Sequence, residues 1–442
     1  MEVKKSITQK VAIPDDLSAK LAAQIVGIPA LNAAIQARVD DPTLTITKII
    51  EVILAGSIIL NASDIHLEPE EGSAKLRIRL DGVLQDVMIF QPKSYQQLLS
   101  RIKLLSEMKL NVTDRPQDGR FSILVSGGAI EIRASILPAE YGESIVLRIL
   151  NPKSLINLED AGLRKDLYDT FLTQIARPNG MVIVTGPTGS GKTTTLYAFL
   201  KKIATSEIKI ITIEDPIEYH LAGVSQTQVD PKKGYDFASG LRAIVRQDPD
   251  VILVGEIRDL ETTDIALQAA LTGHLVFSTL HTNDAAGTIA RLVSLGAKPF
   301  NIGPAINMAI AQRLLRRVCP KCGILETPTA AELTKLKNGI GAALPDLEKK
   351  EVKTPKIDNS LKIPRSKGCD FCSKTGFRGR VGIYEAFLID EEMQKYILDE
   401  TSIAGLKEMA KKKGMLSMYQ DGLIKVLQGV TTLDEVERVA EA

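Results

Sequence analysis

From Ile46 to Ile59 the apolar residues at 49, 50, 53, 54 and 58 recur with helical period, and the segment runs into Asn61-Ala-Ser-Asp-Ile-His-Leu-Glu-Pro69. A helix leading into a strand is therefore predicted. Lys75-Leu-Arg-Ile-Arg-Leu-Asp-Gly82 alternates at period two into an Asp-Gly turn and continues as Val83-Leu-Gln-Asp-Val-Met, which reads as a hairpin. A second helix over 96–108 and strands over 121–124, 129–135 and 144–150 make 46–150 an α+β domain. Residues 1–45, short alternations punctuated by Pro14, Pro29 and Pro42, are too few for a domain and are read as an arm. After a linker at 151–160, helical periodicity gives way to strands alternating with helices through about residue 315, so 161–442 is an α/β domain. Within it, 316–380 carries two cysteine pairs, and 385–442 is helical, with Leu398, Ile403, Leu406 and Met409 at helical spacing.

Composition narrows the class. At 442 residues, 44% hydrophobic and 25% charged, the chain has room for two or three domains and fits neither a collagen-like, a disulfide-dense nor a disordered protein. The 55 basic against 54 acidic side chains leave a net charge of +1, so no global field holds nucleic acid or an anionic membrane. The start, Met1-Glu-Val-Lys-Lys, shows no signal-peptide core. The longest uncharged run, Ile265 to Asn283, contains Gln268, Thr272, His274 and His281 and makes a poor membrane span. Four cysteines, all in C-x-x-C pairs, suit a reducing compartment and a metal, which favours the cytoplasm.

The strongest chemical signal is Met181-Val-Ile-Val-Thr followed by Gly186-Pro187-Thr188-Gly189-Ser190-Gly191-Lys192-Thr193-Thr194, an apolar strand entering a P-loop that opens a helix. Its glycines let backbone N–H groups converge on phosphate oxygens, the helix N-terminus adds positive potential, Lys192 reaches the β and γ phosphates, and Thr193 is the expected Mg²⁺ ligand. Two strands end in acids: Lys209-Ile-Ile-Thr-Ile-Glu214-Asp215-Pro216 and Val251-Ile-Leu-Val-Gly-Glu256. In a parallel sheet the C-terminal strand ends face the ligand crevice. Glu256 is accordingly expected to serve Mg²⁺ through water, and Glu214 to orient or deprotonate the attacking water, with Glu218 as its rival. Thr272-Gly-His274-Leu-Val-Phe-Ser-Thr-Leu-His281 brackets another apolar strand with two imidazoles, candidates for sensing the γ-phosphate. His66 and His220 stay unassigned.

These motifs resemble those of the ATPases of type II secretion and type IV pilus assembly, the GspE and PilB family, over roughly residues 45–442. The P-loop, an aspartate box at Ile211-Thr-Ile-Glu-Asp-Pro-Ile-Glu218, a Walker B run at 246–259 ending its strand in Gly255-Glu256, and the histidine box occur in the family's order. Ser63-Asp-Ile-His-Leu-Glu-Pro69, Arg115-Pro-Gln-Asp-Gly-Arg120 and Tyr141-Gly-Glu-Ser-Ile-Val-Leu-Arg148 are similar to the family's PAS-like domain. The resemblance implies a PAS-like domain ahead of a RecA-like P-loop domain, with a zinc-binding insertion and C-terminal helices. It implies ATP and Mg²⁺ as ligands, Arg133 and Arg148 as arginines reaching the γ-phosphate, and His274 and His281 beside the nucleotide. It further implies a homo-hexamer, an inner-membrane platform protein as partner, and a cytoplasmic position peripheral to the membrane through that partner. Full-length members usually carry a further N-terminal docking domain, for which 1–45 is too short, so platform recruitment stays open.

Cys319-Pro-Lys-Cys322 and Cys369-Asp-Phe-Cys372 offer four thiolates, the donor set of a closed, structural Zn²⁺ site with no position for reacting water. Retraction ATPases of the PilT type typically lack such pairs, which favours assembly or secretion. A nucleic-acid translocase or DNA-uptake motor is the alternative class. Its support, the basic run Lys349, Lys350, Lys353, Lys356, Lys362, Arg365 and Lys367, is broken by Glu348, Glu351 and Asp358 and has no aromatic platform.

Overall fold

The computed structural model describes residues 10–41, 43–125, 128–399 and 401–440. The chain divides into two compact units: one takes the chain up to Ser154 with Cys319–Gly323 and Ser366–Arg378, the other takes Leu155–Val318, Ile324–Arg365 and the remainder from Gly379.

The first unit runs β1 (Lys10–Ala12), α1 (Asp15–Gln24), α2 (Ile28–Val39), α3 (Ile46–Ile59), β2 (Asp64–Glu70), β3 (Ser73–Leu80), β4 (Val83–Phe90), α4 (Pro92–Leu105), β5 (Gln117–Val125), β6 (Gly128–Ala139) and β7 (Gly142–Leu150). Its seven strands lie in the order β1-β5-β6-β7-β2-β3-β4, with β1 parallel to β5 and the pairings given by β5 through β4 antiparallel. The period-two pattern of β3 buries Ala74, Leu76, Ile78 and Leu80 against a core that includes Ile53, Leu54, Leu98 and Ile102 of the helices. The described part of the expected arm is no arm. Residues 10–39 form β1, α1 and α2, and Leu21, Ile25, Leu31 and Ile35 are buried in that same core. Residues 1–9 and 42 of the expected arm lie outside the described residues.

The two cysteine turns belong to this unit and not to the α/β unit with which sequence order grouped them. Ser373 Oγ accepts a hydrogen bond from the Ile28 amide at the start of α2 (3.0 Å). At Gly27 a β-carbon would stand 2.1 Å from the Asp370 carbonyl oxygen, so only glycine permits this approach.

The second unit contains α5 (Lys165–Ile175), β8 (Gly180–Thr185), α6 (Lys192–Ile203), β9 (Ile210–Glu214), β10 (Val224–Gln228), α7 (Phe237–Val245), β11 (Val251–Val254), α8 (Leu260–Leu271), β12 (Leu275–Leu280), α9 (Ala286–Ser294), α10 (Pro299–Ala305) and β13 (Ile306–Val318). There follow β14 (Gly323–Glu326), α11 (Ala330–Ile340), α12 (Leu344–Lys349), β15 (Ile363–Ser366), β16 (Phe377–Leu388), α13 (Glu391–Asp399), α14 (Ile403–Lys412), α15 (Met418–Leu427) and α16 (Leu433–Ala440), with Gly323, Ser366, Phe377 and Arg378 at the strand ends counted in the first unit. The main sheet has the order β10-β9-β11-β12-β8-β13-β16, and every pairing from β10 to β13 is parallel. Helices cover both faces, which is why the strands read as unbroken apolar runs. In β8, Met181 and Ile183 enter one core while Val182 and Val184 enter the other. Strands β14 and β15 pair separately, and the capping box of Thr329 and Glu332 opens α11. Among the described residues no helix is long and apolar enough to cross a membrane.

Candidate active site

β8 is flanked by β12 and β13, and its last residue, Thr185, leads directly into the glycine-rich loop. Gly186 has φ 147, and a β-carbon there would meet the Gln312 carbonyl oxygen at 2.5 Å, so backbone strain and space both demand glycine. The loop ends at Gly191, and α6 begins at Lys192, whose ammonium donates to the carbonyls of Gly186 (2.7 Å) and Pro187 (3.2 Å). Burial lowers the proton affinity of Lys192, and the charge of Glu256 opposes that shift. Pro187, Thr188 and Gly189 are exposed, Thr193 is exposed on the first turn of α6, and Thr194 is half-buried beside it. Ser190 is buried, its hydroxyl without a hydrogen-bond partner.

Side chains from neighbouring strands brace this loop. Thr185 Oγ1 bonds the Leu280 carbonyl (3.0 Å) and accepts from the Thr282 amide (2.8 Å). From β13, Gln312 Oε1 accepts from Thr195 Oγ1 (2.7 Å). Sequence reasoning missed Gln312 and Thr282, because their neighbours lie more than ninety residues away and no local pattern marks them.

Glu256 follows β11, held near β9 by the Gly255 amide on the Ile213 carbonyl (2.8 Å). Its carboxylate takes a hydrogen bond from the Arg258 guanidinium and lies 3.5 Å from His281 Nε2. His281 follows β12 and is half in solvent; burial first, then Lys192, lowers its proton affinity, against the pull of Glu256. The structure thus gathers Lys192, Glu256 and His281 at one end of the parallel sheet. Glu214 ends β9 at the same edge, but its buried carboxylate is held by Tyr197, by Thr212 Oγ1 (2.5 Å) and by Gln226 Nε2 (3.2 Å). Tyr197 sits on α6, so the loop helix and the acid are directly bonded; burial and Glu214 push its hydroxyl far above the usual phenol range.

His274 does not join them. It precedes β12, with Nδ1 on the Ala269 carbonyl (3.0 Å), at the opposite end of a strand whose seven residues of rise put about 23 Å between it and His281. An imidazole before a parallel strand faces away from the crevice, whereas one after it faces in.

Arg133 and Arg148 lie in the first unit. They are cross-strand partners in one row, Arg120↔Arg133↔Arg148↔Asp64↔Arg79, running over five strands on the face away from the helices. Asp64 anchors the row, bonded by Arg148 Nε (3.2 Å) and Arg79 Nε (3.3 Å), while Arg133 faces Glu131 at 3.7 Å.

Also in that unit, the sulfur atoms of Cys319, Cys322, Cys369 and Cys372 all lie within 4.8 Å of one another. Cys319 and Cys369 stand 3.9 Å apart, Cys322 and Cys372 3.7 Å, Cys369 and Cys372 3.7 Å. A tetrahedral zinc with Zn–S of about 2.3 Å needs sulfurs about 3.8 Å apart, so the donor set fits that metal. Amides of Cys369 (3.1 Å) and Gly376 (3.2 Å) donate to Cys372 Sγ, contacts that would offset the charge of a thiolate there.

A central parallel strand running into a glycine-rich phosphate loop, with a carboxylate and an imidazole at the ends of the next strands, marks an α/β protein of the P-loop nucleotide-binding class. The chain belongs to the type II/IV secretion system protein family, whose model matches residues 40–438. It is 44% identical over 399 residues to the type II secretion system ATPase E of Vibrio cholerae, covering 90% of this chain and 75% of that one. It is 40% identical over 390 residues to the type IV pilus assembly ATPase PilB of Thermus thermophilus, covering 88% of this chain but 42% of that longer one. Among solved structures, the pilus retraction motor PilT with bound ADP matches with a TM-score of 0.58 and 28% identity, covering 88% of this chain and 96% of that one. The resemblance found in the motifs is thereby borne out, and the protein is a secretion ATPase of this family.

Proposed function

We propose that the protein is a Mg²⁺-dependent motor that acts as a hexamer at the cytoplasmic face of the inner membrane, where a platform protein recruits it to drive pilin or pseudopilin assembly. The observation that carries this is the meeting of Lys192, Glu256 and His281 around the loop after β8, in a chain 44% identical to a type II secretion ATPase. Identities of 44% and 40% to the secretion and pilus-assembly ATPases, against 28% to the retraction motor, favour assembly over retraction.

In this reading the second unit is a RecA-like domain and the first a PAS-like one. Lys192 and the amides of the loop bind the β and γ phosphates, and the start of α6 stabilises their charge. Thr193 and Glu256 would hold Mg²⁺, Thr193 through its exposed hydroxyl and Glu256 through water; the ion supplies charge neutralisation at the phosphates. Arg258 fixes the Glu256 carboxylate. His281, neutral at pH 7, offers one N–H to a γ-phosphate oxygen. Glu214 orients the attacking water, its three donors keeping its carboxylate in place. Arg133 and Arg148, matched to the family's arginine positions, are the candidates to supply positive charge to the transition state. The four cysteines hold a structural Zn²⁺.

The test is steady-state phosphate release by the full chain. Lys192→Ala and Glu256→Gln are each expected to abolish turnover; either variant retaining most of it counts against the assignment. Stimulation by DNA with a steep salt dependence would move the protein to the nucleic-acid class.

A further inference from the structure

His281 and Thr282 lie on a short segment between β12 and α9, and the site already described explains only the front of it. Thr282 is tied to Thr185 just before the phosphate loop, and Thr282 Oγ1 donates to the Asp284 carbonyl (3.0 Å). What holds the back of the segment comes from the far end of the chain. Glu385, buried on β16, accepts through Oε1 a hydrogen bond from the Ala285 amide (3.0 Å), one of the N–H groups that no helical carbonyl takes up at the start of α9. Asp284 Oδ1 accepts from the Gly287 amide (2.8 Å), and Asp284 Oδ2 pairs with Lys407 of α14 (3.3 Å). The charged groups facing Glu385 are Lys407 and Asp284, and burial raises its proton affinity. This buried carboxyl is bonded to the Ala285 amide of the segment that carries His281 and also to the Met418 amide at the start of α15, so it ties that segment to the C-terminal helices.

We propose that Glu385 is a positioning residue for ATP hydrolysis: it fixes Ala285, and with it the segment that carries His281, so that the imidazole stays against Glu256. Lys407 seconds it through Asp284. The site therefore reads the packing of β16 and α14, elements remote from the nucleotide in sequence. The inference deepens the role given to His281 and rests on it.

The experiment is a double-mutant cycle on the full chain, read by steady-state kinetics and by the affinity for a fluorescent ADP analogue. Glu385→Val should lower kcat at least about tenfold and leave ADP affinity within about threefold, the split expected when an interaction matters to the transition state and not to nucleotide binding. Glu385→Gln, which keeps an acceptor oxygen, should recover kcat to within about threefold of the native chain. In a His281→Ala background the Val substitution should cost under about twofold further, because both changes break one unit. If Glu385→Val does not fold, Lys407→Met carries the same cycle with a smaller loss. Multiplying losses, a defect confined to ADP affinity, or a Gln variant as poor as the Val variant overturns the inference alone. Full turnover in His281→Ala overturns it together with the role of His281.

Discussion

At the scale of single residues, the site is a set of charges whose neighbours decide their protonation. His281 is held below the ordinary imidazole range by burial and by Lys192, so it is neutral at pH 7 and takes a proton only on the acid side of about 6.5. Turnover is accordingly expected to fall toward acid pH along a limb centred below 6.5, with that limb absent in His281→Asn. A limb centred above 6.5 that vanishes in the variant would contradict the placement. Tyr197→Phe removes one of three donors to the buried Glu214 carboxylate. Loss of about 1–3 kcal/mol of stability is expected, together with a drop in kcat if Glu214 orients water, measured by thermal melting and phosphate release. The loop lysine and the strand-end acids were legible because each sits in a contiguous run that states both its element and its end of the strand. His274 was not separated from His281, because their spacing pairs them while the direction of the strand between them parts them.

At the scale of elements, the helices in the second half carry local stop and start signals that the sequence states openly. Thr329 and Glu332 close a capping box on α11, and Arg365 of β15 grips Glu332 with two bonds of 2.6 and 2.7 Å, holding its carboxyl down to about 2. Thr329→Ala is expected to cost about 1 kcal/mol of local stability, seen as faster hydrogen exchange of the α11 amides and not of β8. Helices α1 and α2 were illegible for the opposite reason: they are short, and their apolar residues gain meaning only through a core built by strands a hundred residues on. The cysteine turns behave as one element with them. Stripping metal with a strong chelator should make four thiols titratable and speed exchange at 319–323, 366–378 and the Ile28 amide, which bonds Ser373. Unchanged exchange at Ile28 would mean that the turns keep their fold without metal.

At the scale of the whole molecule, sequence order and spatial grouping part company. The α/β class of the second unit and its phosphate site followed from alternation and one motif, both local. Assignment of the cysteine segments to the first unit did not, because it depends on contacts such as Gly27 with Asp370, separated by most of the chain. The polypeptide passes between the units at five places, after Ser154, Val318, Gly323, Arg365 and Arg378.

That interleaving bears on how such a protein can be recombined. A chimera spliced once between Ser154 and Leu155 inherits its thiol turns from one parent and the α1–α2 junction they contact from the other. Any parent with a side chain in place of Gly27 would then collide with the donated Asp370 carbonyl. The natural unit of exchange is a mosaic of three stretches, and shuffled libraries that respect those borders should yield more folded members than single-junction ones.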